Sequence, residues 1–580
     1  MKKNWIVVLP CLLLALCSEA NGQAQVAPSV AHQRHVIASY VEPNTPGAPG
    51  VSVDIKVAES ITDPAARNTD GTLNLNKAIY VRFFDINRVA SPASILVLIP
   101  EKNAGAGSMR LIAKEVVKLS QGNYEVWVVD HRSSLLEDIG PMVIAENAKT
   151  TQAALEALRA YTAHPAGRGG FLANNPSLLS GFMAEWGLDV YMRDIRSVVL
   201  RARQVTSSIY LGGHSQGANL AQIFAGYDFG GQAGFSLLSG LILVQGTADV
   251  TSSARAAAIS EDDYLNGGDG IVGLNELRAA TAPPYAVEAD GSCSASLFQI
   301  LEVSAQLTLL EPQGTILQRF LPQLVRFPAT NEAFIGLLLD DEFQKVSIAR
   351  LSLGFLEVPD GKSLINVATR VGDDPAGLNP NGLWTPVNPG TGGVLRWDGT
   401  RDLKTIDDSF VSGPEVSTIA DAMRQTLLIG AAEGKQVTAN DANSNQWFFP
   451  VRLNTDMSLV SDLTDSLITE QIVAAQTARG GNPITLTRTS EVNLPTLAIR
   501  ASDGVITSKK PFRSFRRMTS IDRADLSIIS MPGYSSADVL TSLEPTSGSG
   551  KNIPGSIVDF INSHQASPII KEPLPADIAK

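Results

Sequence analysis

Residues 207–225 read SSIYLGGHSQGANLAQIFA. An apolar run at 209–211 leads into Gly213-His214-Ser215-Gln216-Gly217, and a helix-like segment, 218–225, follows at once. The order is strand, tight turn, helix, with a serine at the turn: the G-x-S-x-G nucleophile-elbow pattern. Each residue type has a physical reason. The turn strains the serine backbone, and glycines two before and two after it let strand and helix approach closely. The hydroxyl is lifted above the sheet beside the positive end of a helix, and the N–H of Gln216 is left free to stabilise an oxyanion. The competing reading is a glycine-rich strand-to-helix turn with no chemistry. The strand before the motif and the helix after it favour the elbow.

Outward from this motif, residues 94–99 (SILVLI) and 125–129 (EVWVV) are continuous apolar runs that end at Pro100 and Asp130. Such runs are expected of strands buried on both faces. Residues 51–57 and 78–84 also read as strands, and 240–244 (GLILV) as another. Residues 111–119 have helical periodicity. Residues 189–203 form an amphipathic helix with Ile195, Val198, Val199 and Ala202 on one face. Strands alternating with helices predict an α/β architecture: a mostly parallel sheet with right-handed crossovers, flanked by helices, and a site at the carboxyl ends of its strands.

Residues 23–50, polar and punctuated by Pro43, Pro46 and Pro49, read as an irregular lead-in. From 250 to 493 the strand signals thin out, and helical stretches alternate with Pro/Gly turns. This stretch holds Trp384, Trp397 and Trp447, and predicts a large, mainly helical cap with the aromatics in its core. The sheet pattern then resumes. LPTLAIR at 494–500 ends at Ser502-Asp503-Gly504, LSIISM at 526–531 ends at Pro532-Gly533-Tyr534, and 553–562 is a final amphipathic helix. The expected organisation is a core built from 51–249 and 494–566 around an inserted cap, 250–493, with a loose tail at 567–580.

This order of elements resembles the α/β-hydrolase superfamily, over about 51–249 and 494–564. The resemblance implies a serine-hydrolase triad that runs Ser, Asp or Glu, His along the chain. Ser215 takes the nucleophile position, and Asp503 matches the acid after the penultimate strand. Asp249, after the preceding strand, is the lesser alternative. The oxyanion loop follows the SILVLI strand at Pro100-Glu101-Lys102, where backbone N–H groups of Glu101 or Lys102 join that of Gln216. The family usually ends its last strand with Gly-Tyr-x-His-x-Asp-Val-Leu. This chain reads Gly533-Tyr534-Ser535-Ser536-Ala537-Asp538-Val539-Leu540, so Ser536 stands where the histidine belongs. A serine hydroxyl is far too weak a base to take the nucleophile's proton near pH 7.

The other histidines offer little. His564 closes the last helix, which runs antiparallel to the strands and carries it away from the site. His214 is expected to pack against the sheet. His131 follows a strand at the correct end but on the far side from Asp503. His32, His35 and His164 lie in segments without an assigned place.

The chain has 580 residues, 44% hydrophobic and 18% charged. That length exceeds one simple core and fits a domain with a large insertion. A net charge of −12 argues against a nucleic-acid partner. Lys2, Lys3 and the apolar stretch 5–16 read as a signal peptide, residues 1–22, with cleavage near Ser18-Glu19-Ala20. The expected location is therefore secreted or periplasmic. Lipid attachment at Cys17 is disfavoured by the leucine before it. No later segment is long and apolar enough for a transmembrane span. Of three cysteines, Cys11 and Cys17 lie in the signal region, which leaves Cys293 without an intrachain partner. No metal-ligand spacing or cofactor motif is present; Asp262, Asp263 and Asp269 read as a solvated acidic turn. The basic run Lys509, Lys510, Arg513, Arg516 and Arg517 reads as a solvated helix face.

Two functions are open to this sequence. One is a secreted serine hydrolase that cleaves small-molecule carboxylic esters over an apolar acyl pocket. The other is a non-catalytic protein of the same fold that binds an apolar ligand or a protein partner through its cap. The elbow and Asp503 favour the first, and Ser536 favours the second.

Overall fold

The computed structural model describes residues 27–565 except 164–167, 249–258, 269, 287–294, 323, 326, 341–350, 358–363, 367–383, 387–392, 399–416, 461–462, 464–466 and 543–551. The signal segment with Cys17, the tail at 567–580, Asp249, Asp269, Cys293 and His164 lie outside the described residues.

Eight strands form one sheet: β1 (Val30–Ala38), β2 (Lys77–Asp85), β3 (Ser94–Ile99), β4 (Tyr124–Asp130), β5 (Ile209–His214), β6 (Gly240–Val244), β7 (Thr496–Ala501) and β8 (Leu526–Met531). Their spatial order is β1-β2-β4-β3-β5-β6-β7-β8. β2 runs antiparallel to both its neighbours, and every other pairing is parallel. This is an α/β-hydrolase fold. Leu241 to Val244 pair with Thr496 to Ile499, so the strands before residue 249 and after 494 share one sheet.

The apolar runs are buried on both faces, as parallel strands between helices require. Ile95, Val97, Ile99, Trp127 and Val129 face one layer, which holds α2 (Leu188–Arg203), α3 (Gln216–Gly226) and α8 (Lys510–Met518). Leu96, Leu98, Val126 and Val128 face the other, formed by α1 (Arg110–Leu119) and α9 (Ile553–Ser563). On α8, Phe512 and Phe515 are buried while Lys509, Lys510, Arg513 and Arg517 are exposed.

Two excursions leave the sheet at the carboxyl ends of strands. The described residues between β4 and α2, 131–163 and 168–187, hold several helices that the sequence pattern does not single out. Residues 245–495, between β6 and β7, contain α4 (Ala295–Leu310), α5 (Ile419–Thr426), α6 (Val451–Leu459) and α7 (Glu470–Thr477). Both excursions contribute to a separate apolar core with Leu135, Met142, Trp186, Trp397, Trp447 and Phe448. Trp397 and Trp447 are core residues, each with its indole N–H bonded, to the Leu353 carbonyl at 3.1 Å and to Glu302 at 3.2 Å.

Two local expectations are corrected. Residues 51–57 do not form a strand. Asp54 accepts the N–H of Lys56 and starts a helix at Ile55–Ser60. The segment 23–50 is not wholly irregular, because Val30–Ala38 is an edge strand paired along its length with β2. Among the described residues no helix is long and apolar enough to cross a membrane.

Candidate active site at the elbow

The elbow is built as its glycines require. Ser215 has φ 51° and ψ −118°, a conformation that costs a non-glycine residue roughly 1–3 kcal/mol. Its N–H is held by the Val244 carbonyl at 2.8 Å, and its carbonyl accepts from Ala218 at 3.0 Å as the first turn of α3 begins. Gly213 and Gly217 face one another across the turn. A Cβ on Gly213 would run into the backbone of Gly217 and the Ile99 carbonyl, and one on Gly217 would run into the carbonyls of Ile99 and Pro100. The close approach of β3, β5 and α3 therefore excludes any side chain at either position.

Ser215 is partly exposed, and its hydroxyl makes no hydrogen bond among the described residues. The backbone N–H groups of Gln216 and Glu101 are also unengaged among them. β3 and β5 are neighbours, with Ile99 opposite Gly213, so the loop after β3 and the start of α3 stand side by side. That loop is fixed from outside. Ala104 bridges Asn445, and the Asn103 carbonyl accepts the N–H of Gln446 at 2.8 Å. Lys102 and Gln216 line a common cavity of about 470 Å³.

Of the remaining predicted site residues, Glu101 and Ser536 meet at His214 rather than at the Ser215 hydroxyl. His214 is fully buried. Its Nε2 lies 2.9 Å from the Ser536 carbonyl oxygen, and its Nδ1 lies 3.3 Å from the Glu101 carboxylate without hydrogen-bond alignment. Ser536 is buried, and its hydroxyl oxygen accepts the N–H of Val505 at 2.9 Å. The Tyr534 carbonyl accepts the N–H of Asp503 at 3.0 Å, and Ser502 donates its hydroxyl to the Asp503 carboxylate at 3.1 Å. The loops after β7 and β8 are thus joined. The Asp503 residue itself is exposed, and among the described residues no histidine contacts it.

No described imidazole reaches Ser215. His131 is buried, stacked on Tyr191 at 4.1 Å and edge-on to Phe449 at 5.0 Å. Burial pushes its pKa down to about 3, which makes it a poor proton acceptor at neutral pH. His564 packs on Phe560, and its carbonyl accepts from the Tyr210 hydroxyl at 2.6 Å. Tyr210 lies five residues before Ser215, roughly 16 Å away along the strand. His32 bonds Asp441 at 3.0 Å, and His35 stacks on Tyr80 at 4.9 Å.

Sequence reasoning missed two polar side chains beside the elbow. Asn219 is one turn beyond Ser215 on α3, and Asn454, on α6, accepts from Gln216 Nε2 at 3.0 Å. The serine-plus-four position of Asn219 is a usable signal, because helical residues four apart share a face. No group of three or more His, Cys, Asp or Glu side chains among the described residues is placed to hold a metal ion.

No family model matches the chain, and no curated protein matches it. Several solved structures align over most of its length. A Sulfolobus solfataricus protein described as a lipase candidate is 12% identical, with 92% of this chain and 94% of that one covered and a TM-score of 0.39. A monoacylglycerol lipase of Paleococcus ferrophilus is 10% identical, with 82% and 96% covered and a TM-score of 0.28. A peroxisomal α/β-hydrolase of Saccharomyces cerevisiae is 8% identical, with 93% and 89% covered and a TM-score of 0.29. At these values they add nothing to the strand order, on which the fold assignment rests.

Proposed function

We propose that this chain is an exported hydrolase of small carboxylic esters that forms an acyl-enzyme on Ser215. The observation that carries the reading is the Ser215 backbone, at φ 51° and ψ −118°, between two glycines that admit no Cβ. In the first half-reaction the Ser215 oxygen attacks the acyl carbon. The carbonyl oxygen gains the negative charge and faces the free N–H groups of Gln216 and Glu101. Collapse breaks the ester C–O bond, and the alcohol leaves with the proton that the serine gave up. Water then attacks the acyl-serine, and the acid is released with Ser215 restored.

Proton transfer is the weak step. Ser536 holds the position of the usual base, and its oxygen is already engaged by Val505. Turnover is therefore expected to fall about 10²–10⁴-fold below that of a site with a positioned base. Esters of acidic alcohols, whose leaving groups need little protonation, are the favoured substrates. Export is supported by the basic start and short apolar core of residues 1–22.

The engaged Ser536 and the exposed Asp503 favour a second reading, a non-catalytic protein that keeps the fold to bind a ligand. Hydrolysis of p-nitrophenyl butyrate separates the two. A rate above buffer that disappears in Ser215→Ala supports the hydrolase. Equal rates in wild type and Ser215→Ala support the binding protein.

A further inference from the structure

The cavity of about 470 Å³ beside the elbow is large enough for a ligand of ordinary small-molecule size. One wall is the face of α3 that carries Gln216, Asn219 and Ile223, and the facing wall is α6 with Asn454, Val451 and Met457. The apolar acyl pocket expected from the sequence is only half present. Two carboxamides, Gln216 and Asn219, line this space, and each has an oxygen that is shielded and unpartnered. Asn219 Oδ1 is buried without a partner, and among the described residues the Asn219 amide makes no hydrogen bond through either atom. The other amide atom, Nδ2, is not shielded in this way and is the one that a ligand in the cavity can reach. Gln216 gives its Nε2 to Asn454 and leaves Oε1 buried and unpartnered.

Buried polar groups without partners are rare and destabilising. A chain that needed only to hold an alkyl group would be more stable with leucine at position 219. Among the described residues the lining holds no carboxylate to attract a cation, and its one charged side chain is Lys102.

We propose that the acyl group delivered to Ser215 is polar and carries a hydroxyl or amide that hydrogen-bonds Asn219. This rests on the hydrolase reading of Ser215. Asn219 lies one helical turn from Ser215, about 5.4 Å along the axis. The polar atom therefore belongs roughly five or six atoms from the ester carbon, with the intervening methylenes against Ile223 and Met457.

The test compares p-nitrophenyl 6-hydroxyhexanoate with p-nitrophenyl hexanoate on the full-length protein. The hydroxy ester is expected to have a kcat/KM roughly three- to tenfold higher, the worth of one net hydrogen bond. Asn219→Leu should bring the ratio to one or below, with Asn219→Ala as the second variant should leucine prevent folding. A hexanoate preference in the wild type, or a ratio that both variants leave intact, overturns the proposal. If neither ester is hydrolysed, the hydrolase reading fails, and binding decides the polarity alone. Calorimetry on Ser215→Ala with methyl 6-hydroxyhexanoate and methyl hexanoate should then show tighter binding of the hydroxy ester; equal or weaker binding overturns the polar assignment.

Discussion

His214 Nε2 lies 2.9 Å from the carbonyl oxygen of Ser536. The histidine next to the candidate nucleophile is thus turned into the sheet and joins the elbow to the loop after the last strand. The strand ends at His214, which stays buried, and the turn at Ser215, with φ 51°, carries the next side chain away from the sheet. The contact makes His214 a positioning residue for two loops, and no described imidazole bonds the Ser215 hydroxyl.

The first prediction concerns that contact. In His214→Leu the Ser536 carbonyl loses its partner inside the protein. An unfolding free energy lower by about 1–3 kcal/mol is expected. Urea titration of wild type and variant measures it. An unchanged midpoint would show that the bond contributes nothing.

The elbow glycines give the second prediction. Alanine at Gly213 or Gly217 places a methyl against backbone carbonyls, which cannot swing aside as a side chain can. Each substitution should cost at least ~1–3 kcal/mol, the usual penalty for overpacking. Gly230→Ala, at an open site with positive φ, is a control for backbone strain alone. A smaller loss at Gly217 than at Gly230 would contradict the close approach.

The third prediction is a pH dependence. Asp130, Glu137, Glu146 and Glu302 are buried. Burial raises Asp130 and Glu302 to about 7, and raises Glu137 and Glu146 well above the usual carboxylate range. Arg34 opposes the shift at Asp130, and Asp130 and Glu302 add to the shift at Glu137. A raised folded-state pKa means that the native state holds the proton more tightly than the unfolded chain does. This contribution is therefore full below about pH 4 and is lost as pH rises through about 7. Unfolding midpoints should fall between pH 5 and pH 8. Asp130→Asn should flatten that slope and stabilise the protein at pH 8 by roughly 1–3 kcal/mol. An equal slope in the variant would assign the dependence elsewhere.

The sequence makes the elbow legible because its chemistry is local: strand, turn and helix lie within consecutive residues, and steric need alone dictates the glycines. The buried strands are legible for a similar reason, since 94–99 and 125–129 have no polar face to hide. The helix at Ile55–Ser60 is not. Val51, Val53, Ile55 and Val57 alternate as a strand would, and only the Asp54 cap reveals the turn. β1 is obscured because His32, Gln33, Arg34 and His35 interrupt its alternation; as an edge strand it tolerates them. The cavity is the least legible part. Gln216 and Asn454 are 238 residues apart, and no local pattern brings them together.

The last prediction concerns position 536, where the sequence pattern leads one to expect the base. Position 536 lies between His214, through its carbonyl, and Val505, through its hydroxyl oxygen, so its backbone is tied to the residue before Ser215 and its side chain to the loop that carries Asp503. Ser536→His should place an imidazole in that junction and raise hydrolysis of p-nitrophenyl butyrate. A positioned base is worth about 10²–10⁴-fold. The lower end is expected here, for a reason of tautomers. The N–H of Val505 now donates to residue 536. If it donates to Nδ1 of the new ring, the proton of the neutral imidazole stays on Nε2, and that nitrogen cannot accept the Ser215 proton. Catalysis requires the opposite tautomer, with Nδ1–H given to a carboxylate such as Asp503, which must turn inward from its exposed position. The gained activity should therefore rise with pH through an apparent pKa near 6–7, and disappear when Ser215→Ala is added. Adding Asp503→Asn should remove most of the gain. A gain that survives Ser215→Ala would place the chemistry outside the elbow. No gain in a folded Ser536→His protein would show that residue 536 does not reach the nucleophile.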